Sequence, residues 1–429
     1  MISRGPLGTR IAAMGFVQVD EVSHDAGNPA DVYAEGWQTW SRPRILRLGE
    51  ESERAPDERT QTVLFRPGKP VPRGVIQAEG VLVIAPHGGA ARAWFAPRPD
   101  REVATLRVEN RGAVAKVLAD AHVESLEAAD LMSALVAVGE RLRAPSLRSI
   151  PTGWCSWSYY FKQVTEADVV ENVEAARRLD LPIEVVQVDD GFETSIGDWL
   201  EPDPRFGSLR GAAEAIRSAG MIAGIWIPPF MVDPRSELAR RHPDWLVKDR
   251  DAGMHWDVRM RILDVTNRGA ADYLRTVLHN FIQWGFAFFK LDFLYAEAIH
   301  SLDAYREGMS LVREAVGPDA ILLIGGAPLL PSIGMCDAMR VGPDVLPEEP
   351  DPQPDVDTIE RITSLRSWMN GRLWVNDPDH VVARPGMRER ERWAAYVESY
   401  GGVRFSGDRL SELDARGLEL TKRALSIRA

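Results

Sequence analysis

Several short apolar runs in this chain end in residues able to do acid, base or nucleophilic chemistry. The run at 183–191, IEVVQVDDG, ends in Asp189 and Asp190, and the run at 286–294, FAFFKLDFL, carries Lys290 and Asp292. The run at 336–344, CDAMRVGPD, holds Arg340 and Asp344, and that at 372–379 ends in Asn376, Asp377 and Asp379. Trp226 stands in the run at 221–229. An Asp just past a strand often caps the next helix, and Asp-Gly is a common turn signal. Lys290 and Asp292 resist that reading. Period-two alternation puts both on one side of a strand whose neighbours are apolar, and an apolar interior admits charge only when it is paired or functional.

A pair of carboxyl groups on one rim suits glycoside hydrolysis, in which one attacks the anomeric carbon and the other protonates the leaving oxygen. Here Lys290 is expected to keep Asp292 ionised, because a nearby cation lowers a carboxyl pKa. Asp344 must hold a proton at rest and is expected in less cationic or more buried surroundings. The planar fork of Arg340 suits sugar hydroxyls as well as carboxylates.

These residues need a scaffold that brings distant strand ends together. Apolar runs at 153–158, 183–191, 221–229, 261–266, 286–294, 320–328, 336–344 and 372–379 alternate with helical patterns, which predicts an α/β protein with a (β/α)8 barrel. Thr165 and Asp168 spell a capping box, Ser208 caps a second helix, and Gly285 and Gly317 end two more. A doubly wound sheet is the competing fold, but no glycine-rich phosphate loop follows the first run. The seven residues between the sixth and seventh runs are too few for a helix, and the extended stretch at 401–407 is expected to help finish the barrel. Before residue 145, runs at 62–68, 80–89, 91–97 and 103–110 read as antiparallel strands. The expected division is an N-terminal sandwich-type β-domain at 1–145 and a catalytic barrel at 150–429.

The chain has 429 residues and a net charge of −12, which argues against a nucleic-acid partner. Its two cysteines, Cys155 and Cys336, suggest no disulfide framework. The first residues hold no apolar core for a signal peptide, and no run is long enough for a membrane span, so a soluble cytoplasmic protein is expected. Eight scattered histidines point to no metal and no cofactor. Thirteen tryptophans exceed ordinary need and fit flat sugar faces.

In order along the chain, GWCSWSYYF (153–161), QVDDG (187–191), IGDWL (196–200), GIWIPPF (224–230), HPDWLVK (242–248), FKLDFLYA (289–296), PLLPSIG (328–334), MRVGPD (339–344) and WVNDPD (374–379) resemble the glycoside hydrolase family 36 α-galactosidases, of one clan with the family 27 melibiases. EGWQTWS (35–41) resembles a signature of that family's N-terminal domain. The resemblance implies a retaining α-galactosidase acting by double displacement on oligosaccharides or other galactosides. It implies Asp292 as nucleophile and Asp344 as acid/base. Asp189 and Asp190 would hold O4 and O6, Lys290 O3 and O4, and Arg340 would lie near O2. Trp226 and Trp40 would contact the sugar, while Trp154, Trp157 and Trp37 read better as core.

Two departures follow. Typical members carry a larger N-terminal domain and a C-terminal β-sandwich, and much of their oligomerisation surface lies there, so self-association stays open. Many members also place a cysteine against the sugar 2-position where this chain has Gly325. Glycine there is expected to open space and relax the preference at C2. That keeps an α-N-acetylgalactosaminidase, or a transglycosylase like the raffinose synthases, as alternatives. A non-catalytic sugar-binding relative is the alternative of a different class.

Overall fold

The computed structural model describes residues 15–345 and 356–426. The stretch read for a signal core lies, through residue 14, outside the described residues. Two compact units emerge: one takes the described residues up to Glu35 with Ile45–Arg54 and Val71–Val138, the other Gly36–Arg44, Ala55–Pro70 and everything described from Gly139 onward.

The first unit is antiparallel β-structure. Val81–Ala85 pairs with Asp31–Ala34 and Ala91–Phe95, and Thr105–Asn110 pairs with Val114–Ala119 and Ile76–Glu79. Alternate residues of these two sheets, among them Val32, Leu82, Ile84, Ile76, Leu106 and Val117, bury one shared core. That is sandwich packing. The run at 62–68 departs from expectation. Glu58–Leu64 is a helix of the second unit, because Asp57 accepts from the Thr60 backbone N–H at 2.7 Å and Glu58 sits in the first turn.

The second unit is built on eight parallel strands: β1 Gly153–Cys155, β2 Val185–Val188, β3 Ile222–Ile227, β4 Phe286–Leu291, β5 Ile321–Ile324, β6 Ala338–Arg340, β7 Val375–Asp377 and β8 Phe405–Ser406. Neighbours run β7-β6-β5-β4-β3-β2-β1-β8. The ring closes where Val381 pairs with Ser406 and the Val403 N–H donates to the Asn376 carbonyl at 3.0 Å. This is the expected (β/α)8 barrel with one strand exchanged. The run at 261–266 does not enter it. Val258–Ile262 instead pairs antiparallel with Gly253–His255 and Met231–Val232, and its Arg259 and Arg261 leave one face wet, which a barrel strand covered on both faces does not allow. The extended stretch at 401–407 supplies β8.

Helices lie between most of the strands. The Thr165/Asp168 capping box opens α1 (Glu166–Arg178), and Ser208 caps α2 (Leu209–Ser218). Left-handed Gly285, with φ +100°, ends α3 (Arg268–Trp284). Short α4 (Tyr295–His300) follows β4, and α5 (Leu302–Val316) stops at Gly317. Only a 3-10 turn, Leu330–Ser332, joins β5 to β6. Cys155, Val185, Phe288, Leu323, Ala338 and Phe405 pack together from six of the strands.

Candidate active site

Parallel strands deliver their last residues to a single end of the barrel, and the polar residues singled out in the sequence gather there. Asp292 follows β4 directly. Its Oδ2 accepts from the Trp226 indole N–H on β3 at 3.2 Å, and its Oδ1 from the Phe293 backbone N–H at 2.9 Å. Phe293 has φ +52°, a left-handed conformation that costs a non-glycine residue about 1–3 kcal/mol. The same backbone turn gives Asp292 one of its two donors. Trp226 is 2% exposed, and its indole N–H goes to the carboxylate. Burial pushes the Asp292 carboxyl above its ordinary range; the Lys290 charge opposes this and the Asp344 charge adds to it.

The Lys290 charge lowers the Asp292 pKa as expected, while its hydrogen bond goes elsewhere. Its ammonium donates to Asp189 Oδ2 at 2.8 Å. Gln187 Nε2 at 2.6 Å and the Cys155 thiol at 3.3 Å donate to the same oxygen, and the Asp190 N–H reaches Oδ1 at 3.0 Å. Burial disfavours the Asp189 charge, but Lys290 outweighs it and holds the carboxyl below its usual range. Asp189 is thus a fully engaged anion. Asp190 lies beside Lys162, 3.7 Å from its Nζ, and that ammonium sits 3.9 Å over the Trp256 ring. Burial, then repulsion from Asp190, raises the carboxyl of buried Glu193 well above the usual range. Lys162, Asp190, Glu193, Asp233 and Trp256 line a cavity of about 470 Å³.

On the opposite side, Arg340 is spent on carboxylates. It donates to Asp377 Oδ2 at 3.1 Å, Asp379 Oδ1 at 2.5 Å and Asp344 Oδ1 at 2.7 Å. Of the two surroundings expected to keep Asp344 protonated, less cationic or more buried, it is burial that acts: the carboxyl is raised above the ordinary range by burial first, with Arg340 pulling it down and Asp379 pushing it up. About a third of the side chain (36%) is open to solvent, so burial counts for less here than at the strand ends. Buried His380, held neutral by burial and by the two cations, shares a hydrogen bond with Ser158 at 2.7 Å.

Gly325 lies just past β5, where a Cβ would stand 2.7 Å from Asp292 Oδ1. Its missing side chain makes room for the carboxylate. At Gly326, φ +53°, a Cβ would meet the tip of the Trp40 ring at 2.9 Å. Trp40 belongs to the barrel unit. Gln38 pairs with Pro328, the Thr39 N–H donates to the Ala327 carbonyl at 3.1 Å, and the Trp40 ring stands edge-on to Phe293 and Tyr295. Trp154 and Trp37 are buried core, as expected. Gln187, Cys155, Lys162, Glu193 and Trp256 escaped the sequence reading. Gln187 alone left a signal, since it stands two residues before Asp189 on the same strand face.

The melibiase family model matches residues 150–305. α-Galactosidase AgaA of Geobacillus stearothermophilus is 29% identical over 133 residues, covering 29% of this chain and 18% of that protein. An Escherichia coli α-galactosidase is 28% identical over 116 residues, 25% of this chain and 16% of its own. The chain thus spans about a fifth or less of the length of these curated relatives. Among solved structures, the α-galactosidase TtGalA of Thermus thermophilus in complex with stachyose superposes with a TM-score of 0.81 at 26% identity, covering 94% of this chain and 91% of that one. Family 36 AgaA itself superposes at 0.66 with 15% identity, covering 95% of this chain and 62% of that one, which speaks for the fold. The likeness to family 36 α-galactosidases, in a shorter chain, holds in sequence and in fold.

Proposed function

We propose that this melibiase-like chain is a retaining α-galactosidase. The observation that carries the reading is the pair of carboxyls on one barrel rim, Asp292 held by Trp226 and the Phe293 N–H and Asp344 held by Arg340. In the proposed cycle Asp292 attacks the anomeric carbon and the bond to the leaving oxygen breaks as Asp344 gives that oxygen its proton. A β-galactosyl ester on Asp292 results. Asp344, now ionised, takes a proton from water, and the water oxygen displaces Asp292 to release α-galactose. Trp226 and the Phe293 N–H hold the nucleophile, and Arg340 holds Asp344.

Substrate hydroxyls fall to the remaining groups. Asp190 borders an open cavity, whereas Asp189 and Lys290 satisfy one another, so in this reading Asp190 takes the larger share of the O4 and O6 side. Trp40 offers the aromatic face. Oligosaccharides with terminal α-galactose are the substrate class, supported by the stachyose complex of the Thermus structure. A relaxed preference at C2 beside Gly325, and with it an α-N-acetylgalactosaminidase, stays the second reading, which the glycoside panel below decides.

The reading includes a β-domain at 1–145 ahead of a barrel at 150–429, supported by the lack of regular structure between Arg141 and Gly153, with 36–44 and 55–70 of the first stretch contributed to the barrel unit. Two free, buried cysteines fit a reducing cytoplasm. Among the described residues no helix is long and apolar enough to cross a membrane. A homo-oligomer belongs to the same reading, and sedimentation measures it. The functional test is a panel of p-nitrophenyl α-glycosides of galactose, N-acetylgalactosamine, glucose and xylose, with the anomer of the first product followed by NMR. Preference for galactose with α-galactose released first is expected. A β-anomer, or no turnover of any member, rejects the reading.

A further inference from the structure

Away from the carboxyl pair, α4 and the loop ahead of α3 converge on a second group of ligating side chains. Glu297 and His300 stand one turn apart on α4, and Asp264 precedes α3. The donor atoms of all three lie within 4.8 Å of one another. His300 Nδ1 is 3.5 Å from Glu297 Oε1 and 3.9 Å from Asp264 Oδ1. Donors around an ion bound at about 2.1 Å stand roughly 3–4.2 Å apart, so both spacings suit a shared ion.

The second observation is at Glu297. Its side chain is fully buried (0% exposed), and apart from the approach of the Val265 backbone N–H neither its carboxylate nor His300 Nδ1 finds a hydrogen-bond partner; burial pushes the carboxyl up to about 8. Native interiors rarely leave a buried carboxyl and a ring nitrogen so poorly paired, since each unpaired group costs about 1–3 kcal/mol. Asp264 is pre-set by its own loop: Oδ1 accepts from the Thr266 N–H at 3.0 Å and from its hydroxyl at 2.5 Å.

We propose that Asp264, Glu297 and His300 bind one divalent transition-metal ion of the zinc or manganese kind. Two carboxylates and an imidazole make a mixed oxygen and nitrogen set, which favours those ions over magnesium or calcium. The spacing Glu297-x-x-His300 puts both ligands on one helical face. The set shows no histidine pair because it holds one histidine, and Asp264 joins Glu297 from 33 positions upstream. The ion would tie α4, which starts three residues after Asp292, to the loop before α3. Its role is to brace that segment; it takes no part in the glycosidic step.

The test uses the full chain, stripped with a chelator and dialysed. Zn²⁺ and Mn²⁺ are titrated calorimetrically, and unfolding temperature is followed with each, with Mg²⁺ and Ca²⁺ as comparison ions. Expected are one equivalent of Zn²⁺ or Mn²⁺ bound and a rise in unfolding temperature of several degrees. His300→Ala and Asp264→Asn, both at partly exposed positions, should weaken binding at least about tenfold. Glu297→Gln should abolish it while the circular dichroism of the folded chain is kept. No saturable binding by the stripped wild type, or wild-type affinity in His300→Ala and Asp264→Asn, overturns the proposal. Galactosidase turnover is not the readout, so failure here leaves the catalytic reading to its own test.

Discussion

Asp292 Oδ1 lies 2.7 Å from the point where a Cβ would stand on Gly325. The contact joins the end of β4 to the residue after β5. A methyl group cannot share that volume with the carboxylate, so Gly325→Ala must push Asp292 off its two donors or shift the strand end. A displacement near 1 Å costs an attacking group roughly 10²-fold in rate. Gly325→Ala is therefore expected to lower kcat by about that factor with KM nearly unchanged, and Gly325→Cys to do the same or worse. Steady-state kinetics on a p-nitrophenyl α-galactoside decide it. An alanine variant of wild-type kcat would mean that Asp292 rests elsewhere during turnover.

Asp292→Ala removes the nucleophile and should lower turnover by at least about 10⁴-fold. Azide can enter the vacated space on the β face, so added azide should restore part of the rate and yield β-galactosyl azide, identified by NMR. Recovery of the α-azide would instead indicate attack from the other face and reject the double displacement.

The pH profile follows from the directions of the two shifts. Asp292 must be ionised to attack, and its pKa is raised, so kcat/KM should fall with acid through a value above the ordinary 3.9 or so of an aspartate. Asp344 must be protonated to donate, and its raised pKa sets the loss on the alkaline side. The limbs belong to the interacting pair rather than to either residue alone. In Asp344→Asn the charge that raises Asp292 is gone, so the Asp292 pKa, read by carboxyl NMR, should drop. An acid limb at or below the ordinary value, or an unmoved Asp292, contradicts this electrostatic picture.

Trp40 depends on Arg366. That fully buried guanidinium donates to the carbonyls of Thr39 at 2.5 Å, Ser41 at 2.8 Å, Val341 at 2.9 Å and Gln38 at 3.3 Å. Lysine cannot reach all four, and each buried carbonyl left unpaired costs about 1–3 kcal/mol. Arg366→Lys should thus destabilise the chain by roughly 2–4 kcal/mol in urea unfolding and raise KM a few-fold by loosening Trp40. Trp40→Ala should raise KM alike with little change in stability. If KM stays at wild type in both, Trp40 does not touch the substrate.

Helix boundaries were legible in the sequence because their signals are local. Thr165 and Asp168 act across one turn, and Gly285 ends α3 by its own freedom at φ +100°. The alternation of runs likewise announced the barrel, and the residue types at the run ends announced acid/base chemistry. The run at 261–266 misled because strand propensity does not say which sheet a strand joins. Only the tertiary structure chose the partners. Lys290 meets Asp189 from 101 positions away, through the registers of β2, β3 and β4, so its hydrogen bond goes there and only its charge reaches nearby Asp292. Arg340 is divided among three aspartates because β7 lies beside β6. At Gly325 a sequence shows that a side chain is missing but not what stands beside the gap. The carboxyl pKa values were out of reach for the same reason, since burial and neighbouring charge exist only once the strands are assembled.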